Sequence, residues 1–348
     1  MKRKVFIFCI PVCAVLLGAA GSLGLKRAFA YGAPQASAQN PTSTADRVAP
    51  NAVNHDTAEN KVPDSGEKDF TIRSDVRLVL LDVSVKDAKG GFVSGLTKDN
   101  FTVFEDGKPQ QITQFADQDV PVSVGLVIDE SGSMRPKRPE VITAALTFVQ
   151  ASNPHDEAFV INFNDKVYHG LPDTVLFTDK IPLLRQALWA TPPEGRTALY
   201  DAIFASLHQL DMGRRDKKTL VLISDGGDNI STHTKKDVEH KVDETVATIY
   251  TVGIFDENDP DRNPGILKWL ANVSGGVAYF PQDLKDIVPV CRQIAKDIRN
   301  RYTIGYVPPD GRPGQVRHIK VAASSPEHGK LIVRTRTQYT YNPDTVQQ

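Results

Sequence analysis

The chain has 348 residues, of which 40% are hydrophobic and 24% charged, and its formal net charge is −1. That length leaves room for roughly two domains with real cores. Lys and Arg are scattered rather than striped, which argues against a nucleic-acid partner.

At the N-terminus, Lys2, Arg3 and Lys4 precede an apolar run over 5–17, and small residues follow. This is the layout of a secretory signal. Ala28-Phe29-Ala30 and Ala36-Ser37-Ala38 each offer an A-x-A cleavage pattern. Cleavage after Ala30 removes Lys2, Arg3, Lys4, Lys26 and Arg27 with no acid, taking the net charge from −1 to −6. Left uncut, residues 1–30 would serve as an N-terminal anchor, and no other stretch reads as long and apolar enough to span a bilayer. Either way the expected location is exported, periplasmic or extracellular. Cys9 and Cys13 lie inside the signal, so Cys291 is the one cysteine left beyond it and no internal disulfide can form.

Residues 31–68 are rich in Ala, Pro, Ser, Thr, Asn and Asp and read as a disordered linker. The segment 69–119 is β-rich: 76–85 alternates as a strand, 101–104 is a second, closed by the turn 105–108, and 111–115 is a third. From 120 to 299 strands alternate with helices. Strands are expected at 122–128, 158–163, 167–168, 220–223, 249–254 and 277–280. Helices are expected at 141–149, 181–188, 198–210, 235–246, 266–273 and 284–298. The β rhythm returns over 300–348, with strands at 302–307, 316–322 and 331–339. The fold class is therefore α/β: a doubly wound, mostly parallel sheet, with a flanking β domain built from both sides of it. The segments 69–119 and 300–348 are expected to pack together, with 120–299 inserted between them.

The stretch VIDESGSM, 127–134, joins a buried strand to a tight loop. Asp129 ends the strand, and Ser131 and Ser133 place two hydroxyls just beyond it. The loop TPPEGRTALYDAI puts Thr197 at the start of an amphipathic helix, and the strand LVLIS runs into Asp225. Ligand sites in such sheets lie outside the carboxyl ends of the strands. There two acids and three hydroxyls would meet, an all-oxygen set suited to Mg²⁺ or Mn²⁺. Two carboxylates leave such an ion incompletely neutralised, so its open position would favour an outside carboxylate.

DESGS, the Thr of GRTALYDA and the Asp of ISDGGDN resemble the metal-ion-dependent adhesion site of von Willebrand factor type A domains. The resemblance covers about 120–299, and FTVFEDGKPQQITQF in the flank resembles bacterial exported proteins that carry such a domain. It implies that Ser131 and Ser133 bind the metal directly, Thr197 directly or through water, and Asp129 and Asp225 largely through water.

Other chemistries find little support. There is no GxGxxG after the first α/β strand, no GxxxxGK[ST], and no H-E-x-x-H. The run DENDPD, 256–261, lacks the Gly and closing Glu of an EF-hand and reads as a solvated loop. His233 and His240 read as exposed helix residues, and Trp189 and Trp269 as helix-face packing. The expected function is a non-enzymatic, adhesion-type protein-binding module that captures an acidic ligand residue through the cation. A metal-assisted hydrolase and a scaffold with a degenerate site are the alternatives. Glu130, Glu194 and DENDPD are expected on the same rim, where they would repel a diffusely acidic partner.

Overall fold

A computed structural model describes residues 78–255 and 262–343. The signal or anchor, the linker, residues 69–77 of the first β segment and the DENDPD loop lie outside the described residues.

The elements, in order, begin with strands β1 (Val79–Lys86), β2 (Phe101–Glu105), β3 (Lys108–Gln110), β4 (Ile112–Ala116) and β5 (Val122–Asp129). Helix α1 (Arg138–Ala151), strands β6 (Glu157–Phe163) and β7 (Val167–His169), and helices α2 (Ile181–Leu188) and α3 (Leu199–Asp211) follow. Then come β8 (Lys217–Ser224), α4 (Lys235–Glu244), β9 (Thr248–Gly253), α5 (Pro264–Ser274), β10 (Ala278–Tyr279) and α6 (Ile287–Arg299). The chain closes with β11 (Arg301–Tyr306), β12 (Gln315–Ala323), β13 (Ile332–Arg334) and β14 (Gln338–Tyr341). All described residues belong to one unit, Thr71–Gln348. Among them, no helix is long and apolar enough to cross a membrane.

Six strands form the α/β sheet in the order β10-β9-β8-β5-β6-β7, parallel except for the edge strand β7. Every residue of β5 is buried, because the strand lies at the centre with both faces covered. That is why its apolar residues, Val122, Val124, Leu126, Val127 and Ile128, fall on both faces. Its core partners include Phe148 of α1, Leu184 of α2, Ile203 of α3 and Leu222 of β8. Helix α4 starts at a reciprocal cap, in which Thr234 and Asp237 bond each other's main chain. Helix α5 stops at Gly275, whose φ of 83° is left-handed and suits glycine.

The remaining strands make two four-stranded sheets, β13-β1-β11-β4 and β14-β12-β2-β3. They share one apolar cluster that includes Leu81, Val103, Ile304 and Val321. Two strand expectations need correction. Residues 108–110 form β3, where a turn was expected to run to 108. Pro109 is tolerated because β3 pairs with β2 alone, at the sheet edge. The expected single strand 331–339 is two, one in each sheet. The break at Thr335–Thr337 packs against Gly275, and Thr337 N–H donates to the Val273 carbonyl at 3.0 Å.

Helix α6 passes into β11 with Asn300 alone between them, so the α/β layer and the β sheets meet at a polar seam. Asp297 of α6 is fully buried. It accepts hydrogen bonds from Tyr250 Oη (2.6 Å) and Ser84 Oγ (3.0 Å) and pairs with Lys86 (3.1 Å). Arg301 of β11 is buried as well, bonding Asp82 (3.2 Å), Thr248 Oγ1 (3.2 Å) and the Gly275 carbonyl (2.5 Å).

Candidate metal centre

Three loops bring the five sequence-derived residues to the carboxyl end of the sheet. Asp129 closes β5, and its backbone leads through Ser131 into a short 3₁₀ turn at Gly132–Lys137. Asp225 follows β8, the strand beside β5, and Thr197 precedes α3. Asp129, Ser131, Thr197 and Asp225 are buried, whereas Ser133 is half-buried.

Ser131 Oγ and Ser133 Oγ lie 3.2 Å apart, and Ser133 Oγ donates to Asp225 Oδ2 at 2.7 Å. Asp129 is held differently. Its Oδ1 accepts the Ser131 N–H (2.9 Å) and its Oδ2 accepts the Ser224 hydroxyl (2.6 Å). Asp225 Oδ1 accepts the Gly227 N–H at 3.1 Å. Thr197 joins through its loop. Gly132 N–H donates to the Gly195 carbonyl, and Thr197 N–H donates to Asn229 Oδ1, while Asn229 N–H returns to the Thr197 carbonyl. Gly195 holds a φ of 77°, and an added Cβ would strike the Asp165 carboxylate, so the turn needs glycine.

Burial and then the neighbouring Asp225 push the Asp129 carboxyl up to about 6, against hydrogen bonds from Ser131 and Ser224 that oppose the shift. Two acids forced together out of water are the condition a cation relieves. The spacing also fits. Neighbouring ligands in an octahedral shell with bonds of about 2.0–2.1 Å stand about 3 Å apart, close to the 2.7 Å and 3.2 Å separations of the Ser133–Asp225 and Ser131–Ser133 oxygens. Among the described residues there is no group of three His, Cys, Asp or Glu that could hold a metal. Any ion here therefore depends on the hydroxyls.

Several neighbours depart from the sequence reading. Glu130 is not a rim acid: it is fully buried and pairs with Arg138 at 3.0 Å. Burial raises its carboxyl to about 7, with Arg138 opposing. Glu194 is exposed as expected. His233 precedes α4 instead of lying within it; it stacks on Phe204 at 4.1 Å and contacts Asp201 Oδ1 at 2.7 Å. Trp189 caps α2 and is 50% exposed, with Arg138 over its ring at 4.7 Å. Ser224, Asn229 and Arg138 organise the site without having been singled out. The one cue for Ser224 was its position, last in the strand and directly before Asp225.

Residues 124–227 match the profile of the von Willebrand factor type A domain. No curated protein matches the chain significantly. Among solved structures, the chain is similar to a von Willebrand factor type A protein from Catenulispora acidiphila, at 13% identity, over 78% of this chain and 76% of that one, with a TM-score of 0.46. BatB from Bacteroides thetaiotaomicron matches at 15% identity, over 51% of this chain and 98% of that one, with a TM-score of 0.41. Proximal thread matrix protein 1 from the mussel byssus, with a zinc-occupied MIDAS motif, matches at 14% identity, over 51% and 48%, with a TM-score of 0.43. These likenesses are remote, and the assignment rests on the profile match.

Proposed function

Because this chain carries a von Willebrand factor type A domain, we propose that it is an exported, non-enzymatic binding module that captures an acidic residue of a protein partner. Ser131, Ser133 and Thr197 would hold a divalent cation, Mg²⁺ or Mn²⁺, with Asp129 and Asp225 acting largely through water. Asp129 also accepts from the Ser131 N–H and the Ser224 hydroxyl, which orients the serine loop and leaves each oxygen a further lone pair. When bound, the ion supplies a coordination position that an outside carboxylate can fill.

The observation that carries this reading is the stitching of three loops around two buried acids and two hydroxyls at ligand-like spacings. Such a set is organised before any ligand arrives, which lowers the ordering cost of binding. Ser133 is the half-buried member and opens the set to the surface.

Calorimetry with Mg²⁺ and Mn²⁺ should show one divalent site on the chain, abolished by Asp129→Ala and by Ser131→Ala. A peptide bearing a single carboxylate should bind in the presence of that ion and not in chelator. Metal binding unchanged in both variants would refute the site assignment, and peptide binding indifferent to chelator would refute the capture mechanism.

A further inference from the structure

We propose that Trp189 is a second contact of the same binding face, selecting partners whose metal-seeking carboxylate is followed by an aromatic or large apolar side chain. This rests on the carboxylate-capture reading above and adds a specificity element to it.

Trp189 is a large apolar side chain left 50% exposed. Its position is fixed. Arg138 stacks on one ring face at 4.7 Å, and the same guanidinium donates to the Trp189 and Thr191 carbonyls at 3.3 and 2.5 Å. Arg138 is anchored in turn by buried Glu130, the residue between Asp129 and Ser131. One guanidinium therefore spans from the metal loop to the indole. The loop that begins at Trp189 also ends at Thr197, and it is fastened to the metal loop at two further points. Glu194 N–H donates to the Glu130 carbonyl at 2.9 Å, and Arg135 Nε to the Pro193 carbonyl at 3.1 Å. The loop that carries Trp189 is thus tied to the metal loop by hydrogen bonds along its length.

Between the two, Arg138 pairs with Glu130 and Arg196 with Asp165 at 3.6 Å, while Glu194 and Arg135 are exposed beside them. Pre-organised tryptophan beside a desolvated anchor is the composition of interface hot spots. A partner presenting aspartate followed by phenylalanine could place the carboxylate at the ion and the ring on the open indole face.

The test uses two capped glycine peptides with a single aspartate, one followed by phenylalanine and the other by glycine. Binding to the full chain is measured by calorimetry in Mg²⁺. It is also followed by indole fluorescence after Trp269→Phe, since the chain has two tryptophans. The phenylalanine peptide should bind about tenfold more tightly, as expected for an aromatic pair. Trp189→Ala should remove that preference while leaving Mg²⁺ binding and the glycine peptide's affinity unchanged, and Trp189→Phe should restore most of it. Equal affinity of the two peptides for the unaltered chain, or a preference that survives Trp189→Ala, overturns this inference alone. If Mg²⁺ binds but neither peptide does, the capture reading falls with it.

Discussion

Replacing Asp297 with asparagine removes one negative charge from the seam between α6, β1, β9 and β11 while keeping the side-chain shape. The carboxylate is fully buried and is the shared acceptor for Tyr250, Ser84 and Lys86. Burial alone would raise its carboxyl. Arg301 and Lys86, with the Tyr250 and Lys86 hydrogen bonds, more than offset that and hold it below the usual carboxylate range. Taking away one partner of a buried ion pair costs about 3–5 kcal/mol, because the remaining charges stay desolvated. At roughly 2–4 °C per kcal/mol for a folded body of this size, the variant should melt roughly 6–20 °C lower. The sign of the pH dependence follows from the lowered folded-state value. The Asp297 contribution is complete above the unfolded carboxyl's pKa and is lost as pH falls through the folded one. Parent and Asp297→Asn should thus differ most at neutral pH and converge in acid. Thermal and urea melts of both proteins from pH 7 downward measure this. A cycle with Tyr250→Phe should show the two substitutions to be non-additive, since they share one bond. A shift at neutral pH within 1 kcal/mol (about 2–4 °C), or a difference that widens in acid, would refute the argument.

Two further outcomes are expected. Asp225→Asn in chelator should be at least as stable as the parent, because it relieves the repulsion with Asp129 while keeping an acceptor for Gly227; the stabilisation by added Mg²⁺ should disappear, and a large drop in chelator would mean that Asp225 holds the fold. A fragment spanning 120–299 should fold, because the α/β cluster lies within it, but less stably than the full chain since it lacks Arg301, Lys86 and Ser84; a fragment of 78–119 should not fold, and circular dichroism with melts of each would decide it.

Where the sequence was informative, the cause was local. β5 announced itself because a central parallel strand is apolar on both faces, and α2 because eight residues carry a whole amphipathic repeat. The five candidate residues stand out because they lie at or just beyond the ends of strands and helices, where turn-forming Asp, Ser and Thr contrast with apolar runs. What escaped was set by partners distant in sequence. Glu130 looks like a surface acid until Arg138 is seen to reach back to it. Lys108 reads as the end of a turn, yet it begins β3, an edge strand that pairs with β2 alone. The division of β13 from β14 depends on Gly275, some sixty residues away, whose bare backbone lets the Thr335–Thr337 segment cross close by. His233 reads as a helix residue, yet the Asp201 carboxylate and the Phe204 ring hold it ahead of the α4 cap.

The pairing of β4 with β11 has a mechanical consequence. β4 is the last strand before the α/β layer and β11 the first after it, and they lie antiparallel, with Ala116 opposite Thr303. The chain entering and the chain leaving that layer are thus hydrogen-bonded to each other at its neck. A pull applied between residues 78 and 343 is carried across the ladders of the two small sheets, through β1 on β11 and β12 on β2, and bypasses the 120–299 excursion until the β4–β11 ladder shears. A chain under tension can in this way keep the candidate metal centre unloaded while the small sheets bear the force.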